Sequence, residues 1–294
     1  MKNDVIRIVR IVLFLIFFSM LIGSLLYILN ASYSQKQDDA LFEDLASKTH
    51  SNVAVSEDSE NELNSSASPT LDSNSADKNV DNIIDNSSFE AGINQSDEDL
   101  SNVILSEYSS LYEENNQLYG WIRIDDTNID FPVMYSPDNP QFYLYKNFYK
   151  EDSRSGTPFI LTPSKTNTII YGHNMKNNSV FSTLTDFKDI EFWQEHRYVE
   201  FDTLYEKSLY EIFIVSNTVV YEDDSLAPKN AYLFYQHTDL DTTNDFYDYI
   251  NNLKKSECFD SGIDASFGDS LITLCTCDYV AENSRLLLVA KKIS

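Results

Sequence analysis

Cysteine, histidine and positive charge are all scarce in this chain, and each shortage closes off a class of function. The three cysteines stand at 258, 275 and 277 and form no Cys-x-x-Cys pair. An odd number leaves at least one thiol unpaired, so a disulfide framework is not expected. Cys275 and Cys277 as metal ligands would need two further donors, and apart from His173 no Cys/His cluster at the usual spacing supplies them. No metal or organic cofactor is expected. Lys and Arg number 21 against 47 Asp and Glu, a formal net charge of -26. Neutralising nucleic-acid phosphates needs Lys and Arg clusters that are absent here, which excludes a nucleic-acid partner. No internal repeat is visible.

The one long apolar run lies from Ile11 to Leu29, 19 residues without a charge. As a helix it is long enough to cross the ~30 Å hydrocarbon layer of a membrane. Lys2, Arg7 and Arg10 precede it and Asp38, Asp39, Glu43 and Asp44 follow it, so the positive-inside bias puts residues 1–10 in the cytoplasm and the rest outside. A cleaved signal peptide fits less well. The run exceeds the ~7–15 apolar residues of such a segment, and no clear small-x-small cleavage site follows. Residues 11–29 are therefore expected to be a single-pass signal anchor in the cell membrane.

Residues 30–96 lack what a core needs. Between 35 and 100 there are 16 acidic residues and 3 basic ones, and the only aromatics are Phe42 and Phe89. Such a segment cannot offset the ~1–2 kcal/mol per residue that ordering its backbone costs. It is expected to be a disordered acidic Ser/Asn-rich tether, a short amphipathic helix near Leu41 to Leu45 being the one exception allowed for.

Residues 97–294 hold 17 of the 19 Tyr and 13 of the 18 Phe, enough for one domain with a substantial core. Asp97 to Leu118 has helical spacing of apolar residues. Eight β-rich runs follow: Tyr119 to Ile124, Ile129 to Met134, Thr157 to Leu161, Thr168 to Tyr171, Tyr198 to Thr203, Leu209 to Val220, Ser270 to Cys277 and Arg285 to Ala290. Val180 to Phe187 suggests a short helix and Asp241 to Lys255 a longer one between the sixth and seventh strands. The class expected is mainly β with helices, about eight strands closing a barrel.

Chemistry concentrates in Thr273-Leu274-Cys275-Thr276-Cys277. Cys277 lies 104 residues after His173 and eight before Arg285. A thiol, an imidazole and a fixed cation are the parts needed to make and break an acyl bond through a thioester. Alternation along the strand places Cys275 and Cys277 on one face, with Cys277 at the strand end. Gly172 interrupts the strand before His173 and lets the imidazole project from a loop. Arg285 heads the apolar run Leu286 to Ala290, where a cation demands an anionic or carbonyl partner. Each residue also has a plain structural reading: the cysteines as small apolar strand residues, His173 as a surface group, and Arg285 as the ion-pair partner of Asp278 or Glu282.

Taken together, Tyr171-Gly172-His173, Thr273 to Cys277, and Arg285 in Asn283-Ser284-Arg285, behind a membrane anchor, resemble the sortases of Gram-positive cell surfaces. Gly120-Trp121-Ile122, Asp130-Phe131-Pro132-Val133 and the run Asn139 to Phe148 extend the likeness over most of residues 97–294. The amino-terminal helix and the helix between strands six and seven point to class B. The resemblance implies a cysteine transpeptidase. Cys277 would attack the carbonyl after the threonine of a sorting signal near the carboxyl end of a secreted protein. His173 would act as general acid and base, and Arg285 would hold the substrate backbone or the oxyanion. The acyl group would pass to an amine of a peptidoglycan precursor or of a pilin. Tyr171, Cys275 and Thr276 are the candidate substrate contacts. Two departures stand out: Cys275 replaces the serine usual in the signature, and Ile160 to Pro163 lacks an acidic residue often found there in class B.

Three rivals are weaker. A papain-like hydrolase places its thiol before its histidine, and no histidine follows Cys277. An L,D-transpeptidase of the cell wall follows its thiol with an Ile/Val-Arg pair inside a glycine turn, whereas Asp278 follows here. A tethered binding module without activity has no need of all three groups. His50, His196 and His237 read as solvated surface groups and Cys258 as half-buried packing.

Overall fold

The computed structural model describes residues 2–64, 103–221, 223–281 and 283–294. It contains α1 (Lys2–Asn64) and α2 (Ser106–Glu114), then β1 (Leu118–Arg123), β2 (Asp130–Tyr135), β3 (Phe159–Ile160) and β4 (Asn167–Tyr171). After these come α3 (Ile190–His196), β5 (Tyr198–Thr203), β6 (Leu209–Val219), α4 (Thr243–Lys254), β7 (Leu271–Cys277) and β8 (Ser284–Lys292). All eight expected strands are present. They close into a barrel in the order β1-β2-β3-β4-β7-β8-β6-β5.

Two pairings in that barrel are parallel, β2 with β3 and β4 with β7. Parallel neighbours end at the same edge of a sheet, and the connection between them must cross over. The crossover from β4 to β7 takes in β5, β6 and α4, which is why residues a hundred positions apart meet. Tyr171 is in register with Cys275, so the segments that follow β4 and end β7 leave the barrel side by side. β8 runs antiparallel to β7 and begins at this edge, with Arg285 opposite Cys277.

β7 and β8 are covered on both faces, which explains the unbroken apolar run Leu286 to Ala290. Leu286, Leu288, Ala290, Ile272 and Leu274 fill the barrel interior. Leu287, Val289, Leu271 and Cys275 face outward beneath α4, whose Phe246, Tyr249, Ile250 and Leu253 cover them. Burying each of those four side chains contributes roughly 1.5–3 kcal/mol. Thr242 caps α4 by accepting from the Asp245 N–H at 3.1 Å. The polar atoms under the helix are satisfied in a chain: Tyr249 Oη meets Thr273 Oγ1 at 2.8 Å, and Thr273 donates to Asn167 Oδ1 at 2.9 Å.

Several expectations need correction. Residues 30–64 are helical, continuing α1 without a break, rather than the start of a tether. Phe42 and Leu45 are buried and Phe42 meets the Phe131 ring edge-on at 4.9 Å, while Ser153 donates to the buried Asp38 carboxylate at 2.8 Å. The short amphipathic helix allowed for near Leu41 to Leu45 is the docked part, but composition gave no sign of its extent, because the few buried side chains at 38, 42, 45 and 49 lie among mostly polar residues. The remainder of the expected tether, 65–96, lies outside the described residues. The helix expected over 97–118 is narrower, Ser106–Glu114, since Leu118 already pairs in β1; residues 97–102 lie outside the described residues. The helix expected over 180–187 is a 3-10 segment, Ser182–Lys188, followed by α3.

Candidate active site

His173, Cys277 and Arg285 line one open cavity of about 390 Å³ at the edge where β4 and β7 end. Tyr171, Cys275 and Thr276 line it too, with Leu144, Tyr145 and Phe159 on one wall and Val220, Phe234 and Tyr235 on the other. The six residues singled out in the sequence therefore share one groove. All three groups of the expected triad are half-buried.

Backbone bonds fix the two chain segments against each other. The Gly172 N–H donates to the Cys275 carbonyl at 3.1 Å, and Thr276 Oγ1 donates to the Gly172 carbonyl at 2.8 Å. Asn174 Nδ2 donates to the Cys277 carbonyl at 2.9 Å, and Tyr279 Oη donates to the Asn174 carbonyl at 2.7 Å. Gly172 is required by close approach: a Cβ there would lie 2.5 Å from the Phe181 ring. Thr276 is almost fully buried and spends its hydroxyl on this lock.

His173 Nε2 lies 2.8 Å from the Leu144 carbonyl oxygen, and its ring packs 5.4 Å from that of Tyr145. A carbonyl can only accept, so Nε2 carries the hydrogen and Nδ1 is the basic nitrogen of the neutral ring. Burial pushes the imidazole below its ordinary value, and the Arg285 charge acts the same way, against the opposing effect of the Leu144 carbonyl. No hydrogen bond joins His173 to Cys277 among the described residues; they face the same groove from neighbouring strand ends.

Arg285 donates Nη1 to the Ser284 carbonyl at 3.0 Å. The ion-pair reading is corrected for Asp278, which is buried and bonds Lys188 Nζ at 2.6 Å instead; Glu282 lies outside the described residues. Among the described residues Arg285 has no carboxylate partner, so its charge is available to the groove. Cys275 forms part of the floor. Burial pushes its thiol up to about 12, which keeps it protonated and inert at neutral pH. The cysteines are all free, and Cys258 is exposed rather than half-buried. Adjacent same-face positions on a strand fit disulfide geometry poorly, in keeping with separate thiols at 275 and 277.

Sequence reasoning missed Leu144, Tyr145, Asn174 and the Lys188–Asp278 pair. Asn174 sits one residue from His173 and was within reach of a local reading. The other contacts depend on loops folding back over the groove and leave no local signature. Of the other histidines, His50 is exposed as expected, with Nε2 3.3 Å from Asp130, whereas His196, packed on Phe192, and His237, stacked on Tyr232, are half-buried.

A family profile described as a sortase domain matches residues 122–293. The chain belongs to the sortase family. The sortase B of Listeria monocytogenes is 31% identical over 198 residues, covering 65% of this chain and 76% of that protein. The crystal structure of Clostridium perfringens sortase B superposes with a TM-score of 0.54 at 33% identity, covering 63% of this chain and 98% of the other. A substrate complex of Staphylococcus aureus sortase B gives 0.55 at 26% identity over 67% and 89% of the two chains. This sortase is accordingly a class B enzyme of the cysteine transpeptidase type, and its closed barrel with helices is the fold of those structures.

Proposed function

We propose that this sortase uses Cys277 as nucleophile, His173 as general acid and base and Arg285 as the oxyanion or backbone clamp. The substrate is a secreted protein cut within a carboxyl-terminal sorting signal. The observation that carries this reading is the convergence of thiol, imidazole and guanidinium on one groove. In the first half, the Cys277 thiol gives its proton to His173 and its sulfur attacks the substrate carbonyl. The peptide C–N bond breaks, the acyl group stays on sulfur, and the imidazolium protonates the departing amine. In the second half His173 takes a proton from an incoming amine, which attacks the thioester. The C–S bond breaks and the proton returns to the Cys277 sulfur. The lowered basicity of the buried His173 suits it to releasing a proton readily. Arg285, with five donors in a fixed plane, stabilises the tetrahedral oxyanion of both halves.

Of the three candidate substrate contacts, Tyr171, stacked on Phe159 along the groove wall, is the one proposed to touch substrate directly, while the buried Cys275 and Thr276 support the groove from beneath. The acceptor is an amine of a peptidoglycan precursor or of a pilin. That the Staphylococcus aureus relative forms a substrate complex supports a substrate-binding enzyme here.

Residues 11–29 are proposed to anchor the enzyme in the cell membrane, with residues 1–10 in the cytoplasm and the catalytic domain, 97–294, outside. Among the described residues Leu13–Ser51 contains one stretch apolar and long enough to cross a membrane. Its side chains from Leu13 to Leu29 are exposed all round, as lipid contact requires. Incubating the enzyme with peptides carrying candidate sorting signals and an amine, with products read by mass spectrometry, tests the reading. Transfer product is expected with the parent and none with Cys277→Ala; equal turnover by that variant would refute it.

A further inference from the structure

A contact that the sequence does not reveal joins the catalytic domain to α1 close to the end of its apolar run. α1 runs unbroken from the apolar span into the segment that docks on the barrel, where Asp38, Phe42 and Leu45 are buried. A helix rises 1.5 Å per residue, so Asp38 stands only about 16 Å beyond Tyr27 along the axis. Tyr27 lies two residues before the end of the apolar run, at the level where aromatic rings meet lipid headgroups. The catalytic domain reaches down to that level. Arg154 Nη2 donates to Tyr27 Oη at 3.1 Å, and its guanidinium sits 5.5 Å over the Tyr27 ring.

Between α1 and the domain there is a cavity of about 410 Å³, open at this level and lined by Tyr27, Ser34, Tyr145, Asp152 and Arg154 among others. Tyr145 also lines the catalytic groove and packs on His173, yet it is 61% exposed. An exposed aromatic beside an arginine, level with the end of a membrane span, is the pattern of an interfacial anchor. In a chain of net charge -26 the loop 145–154 is a local exception, with Lys146, Lys150 and Arg154 against Glu151 and Asp152.

We propose that the loop over residues 145–154 rests, through Tyr145 and Arg154, on phospholipid headgroups and so holds the mouth of the catalytic groove at the membrane surface. The proposal depends on α1 spanning the membrane, as read above. It deepens that reading, because a substrate whose sorting signal is still attached to a membrane-embedded tail, or an acceptor carried on a lipid, then reaches Cys277 without leaving the bilayer. Arg154 would meet phosphate oxygens, a contact for which its fork is suited.

The test uses the full chain reconstituted in vesicles containing phosphatidylglycerol. Asp152→Trp puts an indole at a position whose side chain is 95% exposed, while the native Trp121 and Trp193 are buried. Lipids brominated close to the headgroup are expected to quench the new indole. Arg154→Ala should slow cleavage of a membrane-embedded sorting substrate about five-fold, one cationic lipid contact. It should leave cleavage of a short soluble peptide unchanged, and Arg154→Lys should recover most of the loss. If the protein sediments with the vesicles but the indole is not quenched and Arg154→Ala acts alike on both substrates, the loop does not touch lipid and the proposal falls while the anchor stands. Failure to sediment with vesicles overturns the anchor and the proposal together.

Discussion

Cys277 and Arg285 are directly opposed in the antiparallel ladder of β7 and β8. Opposed residues point to the same face with their Cβ atoms ~4.5–5.5 Å apart, so the pairing register itself aims guanidinium and thiol into one groove. Arg285→Ala should lower the rate of acylation by roughly 10²–10³, the usual cost of losing an oxyanion donor. Arg285→Lys should recover little, because a point charge lacks the planar fork. Single-turnover release of the peptide tail measures both.

His173 titrates below its ordinary value of 6.5 because burial disfavours the imidazolium. The unfolded chain therefore binds a proton before the folded one does. The stability this group confers is fully present above 6.5 and is lost as the pH falls from there through the lower folded value. His173→Gln should flatten that part of the stability–pH curve measured by urea unfolding, and an NMR titration of His173 should give a midpoint under 6.5.

The buried Asp278 carboxylate follows Cys277 and is held by Lys188 from the 3-10 segment before α3. Lys188→Ala leaves that carboxylate without its cation. A loss of about 1–3 kcal/mol is expected, short of the 3–5 of a fully buried pair because Lys188 is 28% exposed. The shift in urea midpoint reports it, and Asp278→Asn should cost less.

Gly172→Ala should push the Phe181 ring aside, since the new methyl would lie 2.5 Å from it. Overpacking of this kind costs about 1–3 kcal/mol. Because Gly172 joins the His173 loop to the Cys275 carbonyl, transpeptidation should fall by more than the lost stability explains. Activity measured at a temperature where the variant remains folded separates the two effects.

The barrel was legible in the sequence because its strands carry β-branched and aromatic runs bounded by turns, and α4 because Phe246, Tyr249, Ile250 and Leu253 share a face. β3 is the weakest match, two residues where Thr157 to Leu161 was expected, since only Phe159 and Ile160 find partners. α3 went unread although Asp189 caps it by accepting from the Glu191 N–H at 2.8 Å; seven residues give too little periodicity to register. The candidate site residues could be named together from their motifs, but their convergence on one groove depends on the parallel pairing of β4 with β7, a long-range choice that no local pattern encodes.

Intact-mass spectrometry of the enzyme mixed with a sorting peptide, without an amine acceptor, addresses the central claim most directly. A single adduct with the mass of the acyl portion should form on Cys277, with the tail released, and should vanish when an acceptor amine is added. No adduct, or one on the exposed Cys258 that persists in the Cys277→Ala variant, would contradict it.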